Sequence, residues 1–448
     1  MKIAFIHPDL GIGGAERLIV DAAVGLKSRD HQVVIYTSRF DRSHAFTETT
    51  DGTLDVRVRG DGIIPRNFGG RLSILCAMLR QLHLVVNLIN TKEGQIYDVF
   101  IVDQLSICIP LIREYFPSAK ILFYGHFPDK LLSDHTSIIK KIYRLPFDAL
   151  EEWSTGLSDV IVVNSNFTKT VFREAFPRIK SHLDVLYPCV NTTDYLKYTP
   201  SPFPAKSFVL SINRFEKKKN IELAINAFSI ATKDHATTPA KLILAGGYDF
   251  KVKENTLYLA ELQTLCSRLG LSYATIWPTD GPSAYHTRDV HSKTVIFIPS
   301  IPDSVKKQLL ADAAILAYTP SNEHFGIVPL EAMLAGTPVL ATNSGGPLET
   351  VTQATGWHEP PDPEKWAPIL QFALFGMTQE QRDTYAHNCR VLVLSKFSET
   401  EMALEFEKYC QIAFSSKRDD SYSFKTLEGI LIVIGMIILF GLFILLKG

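Results

Sequence analysis

The strongest chemical signal in the sequence is a pair of glutamates, Glu323 and Glu331, separated by the seven residues HFGIVPL. A turn precedes the pair, and Pro329 suits the first turn of a helix because proline has no N–H to satisfy there. The amides at such a helix start point toward a bound phosphate, which the helix dipole favours. The residues expected to line that phosphate are Phe325, Gly326, Ile327 and Val328.

The two glutamates have different expected partners. Glu331 lies one turn into the helix, where its carboxylate could accept hydrogen bonds from two vicinal hydroxyls, as a ribose presents them. Glu323 lies on the preceding loop, where it could reach a transferred sugar. The alternative is a helical glutamate that only complements the dipole and a loop glutamate in solvent. The Phe-Gly between them and the proline before the second favour a functional site.

A basic cluster, NRFEKKKN, follows the strand predicted at Phe208–Ile212. Arg214 can bind two phosphate oxygens at once, and a lysine one helical turn later adds a point charge. Lys217–Lys219 also fit a solvated helix start, and we accept that interpretation for two of the three lysines. Arg214 and Lys219 are therefore the candidate phosphate ligands.

Two further loops follow predicted strands of the first half. The loop GIGGAE at Gly11–Glu16 opens a helix, and its glycines let the backbone approach a phosphate or sugar closely. The same loop could simply pack a strand tightly against a helix. No acidic residue ends the next strand, Val33–Thr37, which argues against a dinucleotide-dependent dehydrogenase. His126 follows Ile121–Tyr124 and should face a ligand, although a lone histidine is more often structural.

The sequence favours chemistry without a resident metal or other cofactor. No Asp-x-Asp pair ends a predicted strand, and no histidine cluster has metal-ligand spacing. Arg214, Lys219 and helix-start amides can neutralise a departing diphosphate instead. We therefore predict that no protein-bound metal is required.

Several motifs together resemble the retaining glycosyltransferase family 4. They are the Glu-x7-Glu segment, YGHFPD at 124–129, EEWSTG at 151–156, LYP at 186–188 and NSGGPLE at 343–349. The resemblance extends over nearly the full length and implies the GT-B fold. Within the family it is similar to members that add α-1,3- and α-1,6-linked mannose to dolichol-pyrophosphate-linked oligosaccharide.

This resemblance assigns roles to individual residues. It makes Arg214 and Lys219 a clamp on the donor diphosphate, and it makes Gly13 and Gly14 amide donors facing that diphosphate or the acceptor. It implies that His126 contacts the transferred sugar near its reacting carbon. The NSGGPLE loop would support the donor site.

The resemblance also implies substrates and location. The donor would be GDP-mannose and the acceptor dolichol-pyrophosphate-linked Man1GlcNAc2, extended by α-1,3 then α-1,6 mannose or in the reverse order. The enzyme would act on the cytosolic face of the endoplasmic reticulum membrane, with membrane lipid and other mannosyltransferases of the pathway as candidate partners. One alternative is a family 4 enzyme that transfers a sugar from a UDP donor to a lipid-linked acceptor. Another is a catalytically silent membrane scaffold of a glycosylation complex.

Composition agrees with a protein that does not bind nucleic acid. The 448 residues carry a formal net charge of -1, whereas a nucleic-acid binder would carry a basic excess. The six cysteines are scattered without metal or redox spacing, which is typical of buried thiols in a reducing compartment. Residues 1–8 are short and apolar and are interpreted as a first strand, not a signal peptide.

Short apolar runs alternate with helix-length segments along the whole chain, which predicts parallel sheets covered by helices. We therefore expect an α/β protein of two Rossmann-like, doubly wound lobes that face a cleft. The predicted strands are Ile3–His7, Val33–Thr37, Val99–Asp103, Ile121–Tyr124, Val160–Val163, Phe208–Ile212, Leu242–Ala245, Val295–Ile298, Ile315–Tyr318 and Val339–Ala341.

The expected domains are an acceptor-binding lobe at 1–200, a nucleotide-sugar-binding lobe at 207–397 and a closing helix at 398–414. The proline-rich segment 198–207 would link the lobes.

Two apolar segments bear on membrane contact. Gly429–Leu446 contains no charge, and as a helix its length of roughly 27 Å matches a thin bilayer, so we predict a transmembrane anchor. Leu72–Asn90 has a wide apolar face, with Arg80 among the residues of a narrow polar stripe. It fits a helix packed on the first sheet and a membrane-surface helix equally well.

Overall fold

The computed structural model describes residues 1–60, 62–67, 72–132, 138–192, 201–235, 240–418 and Gly435. The chain divides into two units, the first comprising Met1–Cys189 and Glu399–Gly448 and the second comprising Val190–Ser398. The proline-rich segment 198–207, of which residues 198–200 lie outside the described residues, falls in the second unit.

The first unit contains a parallel sheet with the strand order β3-β2-β1-β4-β5-β6-β7. Its strands are β1 (Lys2–Leu10), β2 (Gln32–Phe40), β3 (Asp55–Val58), β4 (Val99–Asp103), β5 (Lys120–Gly125), β6 (Val160–Val163) and β7 (Leu183–Val185). Its first helices are α1 (Gly14–Ser28), α2 (Ser73–Thr91), α3 (Ile109–Tyr115), α4 (Asp129–Leu132), α5 (Ile138–Thr155) and α6 (Asn166–Ala175).

The central strands of this sheet are buried on both faces, which explains why β4 and β6 are nearly continuous apolar runs. Side chains alternate between the faces of a strand, so Ile3 and Phe5 of β1 enter one core cluster while Ala4 and Ile6 enter another. All four residues are fully buried. The carboxyl ends of the strands are therefore fixed in position by packing on both sides.

Helix α2 packs within the first unit. Its residues Leu84, Val85 and Leu88 join one of the sheet's core clusters, as the interpretation of a helix packed on the sheet requires. The interpretation of Arg80 as part of a polar stripe is corrected, because Arg80 is buried and its guanidinium donates to Asp9. Among the described residues α2 is the one helix long and apolar enough to cross a membrane, yet 44% of that window is buried.

The second unit contains a parallel sheet with the order β10-β11-β9-β8-β12-β13-β14. Its strands are β8 (Phe208–Ile212), β9 (Lys241–Gly246), β10 (Tyr273–Thr275), β11 (Val295–Pro299), β12 (Ile315–Tyr318), β13 (Val339–Thr342) and β14 (Gly356–Glu359). Its helices are α7 (Ile221–Thr232), α8 (Lys253–Arg268), α9 (Arg288–Ser292), α10 (Asp303–Asp312), α11 (Ile327–Ala335), α12 (Pro347–Thr350), α13 (Pro363–Gln371) and α14 (Gln379–Lys396). Helix α15 (Glu399–Ser415) follows and belongs to the first unit.

The two parallel seven-stranded sheets confirm the predicted doubly wound architecture. All ten predicted strands are present, and the four that the sequence analysis missed are β3, β7, β10 and β14. The predicted transmembrane anchor, Gly429–Leu446, lies outside the described residues apart from Gly435.

Candidate active site

The loops at the carboxyl edge of the second sheet bring Lys219 and Glu323 together. Lys219 ends a 3₁₀ turn that follows β8, and Glu323 follows β12, the neighbouring strand. The Lys219 ammonium lies 2.5 Å from Oε2 of Glu323, and the Lys219 carbonyl accepts a hydrogen bond of 2.6 Å from the Thr319 hydroxyl. A lysine ammonium has three donors, so this pair leaves donors over for a ligand.

Exposure separates the three lysines of the basic cluster. The side chains of Lys217 and Lys218 are 62% and 72% exposed, whereas that of Lys219 is 17% exposed. Lys217 and Lys218 are thus solvated, as predicted for two of the three lysines, and Lys219 is partly buried. Arg214, 72% exposed and 3.8 Å from Glu216, stands after β8. The structure brings Lys219, but not Arg214, into contact with Glu323.

Glu323 has a neighbour that its local motif does not reveal. Tyr318, the last residue of β12, is buried and lies close enough to Glu323 to interact with its charge. Burial, followed by the negative charge of Glu323, raises the pKa of Tyr318 well above its usual value. The phenol therefore stays protonated beside the carboxylate. The contact that fixes the Glu323 side chain is the one with Lys219.

Helix α11 begins as the Glu-x7-Glu segment predicted. Gly326 caps it with φ +87°, a backbone conformation that favours glycine, and Pro329 is its third residue. Ile327 and Val328 are the first two residues of the helix, so their N–H groups have no carbonyl partner within it. These amides are therefore available to bind an anion. Phe325 is buried against Phe397, with ring centroids 5.9 Å apart.

Glu331 lies within α11 and is held by a lysine that the sequence analysis did not single out. Lys306 of α10 donates to Oε1 of Glu331 at 2.7 Å. Oε2 of Glu331 is buried and has no hydrogen-bond partner among the described residues. The two glutamates of the motif thus have separate lysine partners. No sequence signal distinguishes Lys306 from other lysines at helix starts.

The second glycine loop, Asn343–Glu349, packs directly on the backbone of Glu323. The Gly346 amide donates to the Glu323 carbonyl at 2.7 Å, and a Cβ at Gly346 would lie 2.4 Å from Cα of Phe325. Gly345 has φ +73°, and a Cβ there would lie 2.5 Å from the Glu323 carbonyl oxygen. Only glycine fits this approach, so the loop supports the segment that carries Glu323.

The glycine loop of the first unit lies between β1 and α1. Gly13 caps α1 and Gly14 begins it. A Cβ at Gly13 would lie 2.3 Å from Oε2 of Glu16, whose side chain folds over the cap. No described atom lies within 4 Å of where a Cβ at Gly14 would be, so that glycine borders open space.

His126 follows β5 and is one of two histidines bound to the same buried carboxylate. Asp103, the last residue of β4, accepts from His126 Nε2 at 3.1 Å and from His7 Nδ1 at 2.8 Å. His7 lies in β1, next to β4 in the sheet. Because an ionised carboxylate only accepts, Nε2 of His126 carries a proton, and Nδ1 is the atom left for a ligand.

Asp103 and His7 each shift the pKa of the other toward its charged form. Burial opposes ionisation of Asp103, but the charges and hydrogen bonds of His7 and His126 outweigh it and lower the pKa of Asp103. Burial likewise acts to lower the pKa of His7, but Asp103, with a contribution from Glu16, raises it. Nε2 of His7 is buried without a partner among the described residues. Sequence reasoning missed His7 and Asp103, although each is a polar residue within or ending a buried strand.

Known proteins match the chain over most of its length. Residues 12–194 match the family described as Glycosyltransferase Family 4, and residues 289–399 match Glycosyl transferases group 1. The alpha-1,3/1,6-mannosyltransferase ALG2 of Yarrowia lipolytica is 48% identical over 433 residues, which cover 91% of each chain. The ALG2 enzyme of Saccharomyces cerevisiae is 46% identical, over 91% of this chain and 84% of that protein. The chain belongs to the alpha-1,3/1,6-mannosyltransferase family.

Solved structures agree with the fold of this mannosyltransferase family member. Sucrose-phosphate synthase from Thermosynechococcus elongatus superposes with a TM-score of 0.69 at 19% identity, covering 93% of this chain and all of that one. Anabaena HepE, in complex with UDP and glucose, superposes with a TM-score of 0.62 at 20% identity. The superposition covers 92% of this chain and 99% of HepE. The predicted GT-B fold and the predicted glycosyltransferase activity are thereby confirmed.

Proposed function

We propose that this mannosyltransferase transfers α-mannose from GDP-mannose to dolichol-pyrophosphate-linked Man1GlcNAc2, with retention of configuration. It adds the α-1,3 and α-1,6 mannoses one after the other at a single donor site. The supporting observation is the carboxyl edge of the second sheet, where Lys219 contacts Glu323 beside the start of α11. The similarity to alpha-1,3/1,6-mannosyltransferases supports the sugar and linkages.

Stabilisation of the departing diphosphate provides most of the catalysis in this proposal. The bond between C1 of mannose and the diphosphate oxygen breaks as an acceptor hydroxyl approaches the same face of the sugar. The hydroxyl proton passes to the departing diphosphate. Arg214, Lys219 and the amides of Ile327 and Val328 supply positive charge and donors where negative charge develops.

Other residues position the reactants. Glu331 binds the ribose hydroxyls, and Glu323 binds the mannose. In the first unit, His126 offers Nδ1 to the transferred sugar, and the amides of Gly13 and Gly14 face the diphosphate or the acceptor. Such positioning lowers the entropic part of the barrier.

The diphosphate ligands in this proposal are protein groups. The described residues contain no group of three or more His, Cys, Asp or Glu side chains that could hold a metal ion. The absence of a metal requirement stays a prediction, and activity after exhaustive treatment with a chelator tests it.

The decisive experiment uses the purified chain with each donor and acceptor in turn. We expect transfer from GDP-mannose, not from UDP-sugars, to a short-chain isoprenoid pyrophosphate carrying Man1GlcNAc2. Linkage analysis of the product should give α-1,3 and α-1,6 mannose. Thermal stabilisation by GDP-mannose and not by UDP-sugars would support GDP-mannose as the donor. Transfer from a UDP-sugar alone would contradict that assignment. A folded chain inactive with every donor would indicate a scaffold.

We further place the enzyme at the endoplasmic reticulum membrane, with both units on the cytosolic face and Gly429–Leu446 as the anchor. The described chain gives a boundary for testing the anchor, because Arg418 pairs with the buried Asp159 at 2.7 Å. A chain ending after Arg418 keeps this ion pair. It should remain active on a short-chain lipid acceptor and lose efficiency on full dolichol substrate in bilayers. Inactivity of this folded chain on both acceptors would assign the anchor a part in the chemistry.

A further inference from the structure

The Glu331 carboxylate can accept further hydrogen bonds, which a bound ligand could donate. Its carboxylate is mostly buried, and Oε2 has no hydrogen-bond partner among the described residues. An unpaired buried carboxylate oxygen destabilises the folded state, and folded proteins contain few such atoms. The site is therefore built to accept donors that come from outside the chain.

The other carboxylate oxygen is held from a different helix. Lys306 of α10 donates to Oε1 at 2.7 Å, and its side chain is only 20% exposed. The ammonium also lies 3.7 Å from Asp303 at the start of its own helix, a longer and weaker contact. The short, charge-assisted bond to Glu331 is the stronger of the two and fixes the orientation of that carboxylate.

A carboxylate has about four lone-pair positions, and Lys306 occupies one of them. One position on Oε1 and the whole of Oε2 remain for hydroxyl donors. Two vicinal hydroxyls, as a ribose carries them, match this arrangement. Without Lys306, the carboxylate would be free to rotate and would lack its counter-charge.

We infer that Lys306 is a positioning residue for ribose recognition, acting through Glu331. The inference rests on the proposed function only in that Glu331 binds the nucleotide ribose. Lys306 itself is not expected to touch the ribose. It holds the Glu331 carboxylate so that two oxygens face the 2′- and 3′-hydroxyls.

The test compares four binding affinities, those of two proteins for each of two nucleotides. GDP and 2′-deoxy-GDP are titrated by calorimetry into the wild-type chain and into Lys306→Met, which keeps the side-chain length and removes the charge. The wild type should prefer GDP by about tenfold, the value of one well-placed hydrogen bond to a charged group. Lys306→Met should bind GDP about tenfold more weakly and lose most of the preference. Its kcat should change less than its KM for the donor.

Matched variants separate positioning from a general effect on the helix. Lys307→Met removes the neighbouring ammonium, which pairs with Asp303 at 2.9 Å, and should leave the preference for GDP unchanged. Lys306→Arg keeps the charge and should retain part of the preference. If Lys306→Met keeps the wild-type ratio of GDP to 2′-deoxy-GDP affinity, the inference is wrong. If the enzyme instead uses a UDP-sugar, the same cycle with UDP and 2′-deoxy-UDP tests Lys306, so failure of the proposed donor is a separate outcome.

Discussion

The carboxyl edges of the two sheets use acidic residues in opposite ways. At the edge of the second sheet, Glu323 and Glu331 each contact a lysine from another element, and Oε2 of Glu331 has no hydrogen-bond partner in the part of the chain that the structure describes. At the edge of the first sheet, a single buried carboxylate, Asp103, is bound by two histidines. We therefore propose that the second edge presents carboxylates to a ligand, whereas at the first edge the carboxylate orients a histidine.

The two edges therefore separate residues expected to affect binding from residues expected to affect only geometry. Asp103 is almost fully buried and has its oxygens occupied by His7 and His126, so it acts on substrate only through His126. In the proposed function, the charges of the second edge act directly on the diphosphate and ribose. Variants at the second edge should therefore produce the larger losses.

The largest effect is expected for Arg214→Ala. Removing a charge that stabilises the departing diphosphate typically costs about 3 kcal/mol or more, so turnover should fall by roughly 10²–10³-fold. The measurement is kcat with GDP-mannose on the folded variant. Lys218→Ala is the matched control, because Lys218 is equally exposed in the same segment and should not affect turnover. Near-normal turnover of Arg214→Ala would remove it from the diphosphate site.

A smaller loss is expected for Asp103→Asn at the first edge. The variant removes the charge that binds both histidines, and a hydrogen bond to a charged group contributes about 1.5–3 kcal/mol. We expect kcat to fall by about tenfold to a hundredfold while the KM for the donor changes little, and the pH dependence of kcat to shift. Asp98→Asn is the control, since Asp98 precedes β4 at its opposite end and accepts from the Lys2 amide. A donor KM that rises as much as kcat falls would contradict a role confined to positioning.

The smallest effect concerns stability at the first edge. Glu151 of α5 accepts hydrogen bonds from the amides of Asp129 and Lys130, which follow His126 in the chain. Burial raises the pKa of Glu151 to about 7. A raised folded-state pKa contributes stability that is complete below the unfolded value of about 4.3 and is lost as the pH rises through 7.

Glu151→Gln removes this titration, so the variant should gain stability relative to wild type between about pH 5 and pH 8. We expect the difference in Tm to change by about 2–4 °C over that range. Glu152→Gln, which alters the neighbouring carboxylate that accepts from the Arg178 amide, is the control. A difference in Tm that stays constant with pH would show that Glu151 does not titrate there.

The sequence predicted the interior of both sheets better than their borders. Strands such as Val99–Asp103 and Ile315–Tyr318 are buried on both faces and are continuous apolar runs. The four missed strands, β3, β7, β10 and β14, are the outermost strands of their sheets. They have three or four residues each and are only partly buried, as DVRV at Asp55–Val58 illustrates, so periodicity gives little signal there.

In the candidate site, too, the sequence predicted some residues and not others. Residues within local motifs, such as Glu323, Gly326 and Glu331, could be identified because a loop and helix start have characteristic sequences. Lys306, the partner of Glu331, could not be identified, since its contact depends on how two helices pack. Asp103 and His7 were missed for the same reason, because adjacency of β1 and β4 follows from strand order, not from sequence spacing.

We propose that one donor site at the edge of the second sheet serves both mannose transfers. The most direct test measures Lys219→Ala separately on acceptors that carry one and two mannoses, with Lys218→Ala as control. With a single donor site, both steps depend on the contact between Lys219 and Glu323, so the two rates should fall by similar factors while Lys218→Ala leaves both unchanged. Loss of one transfer with the other intact would contradict a single donor site.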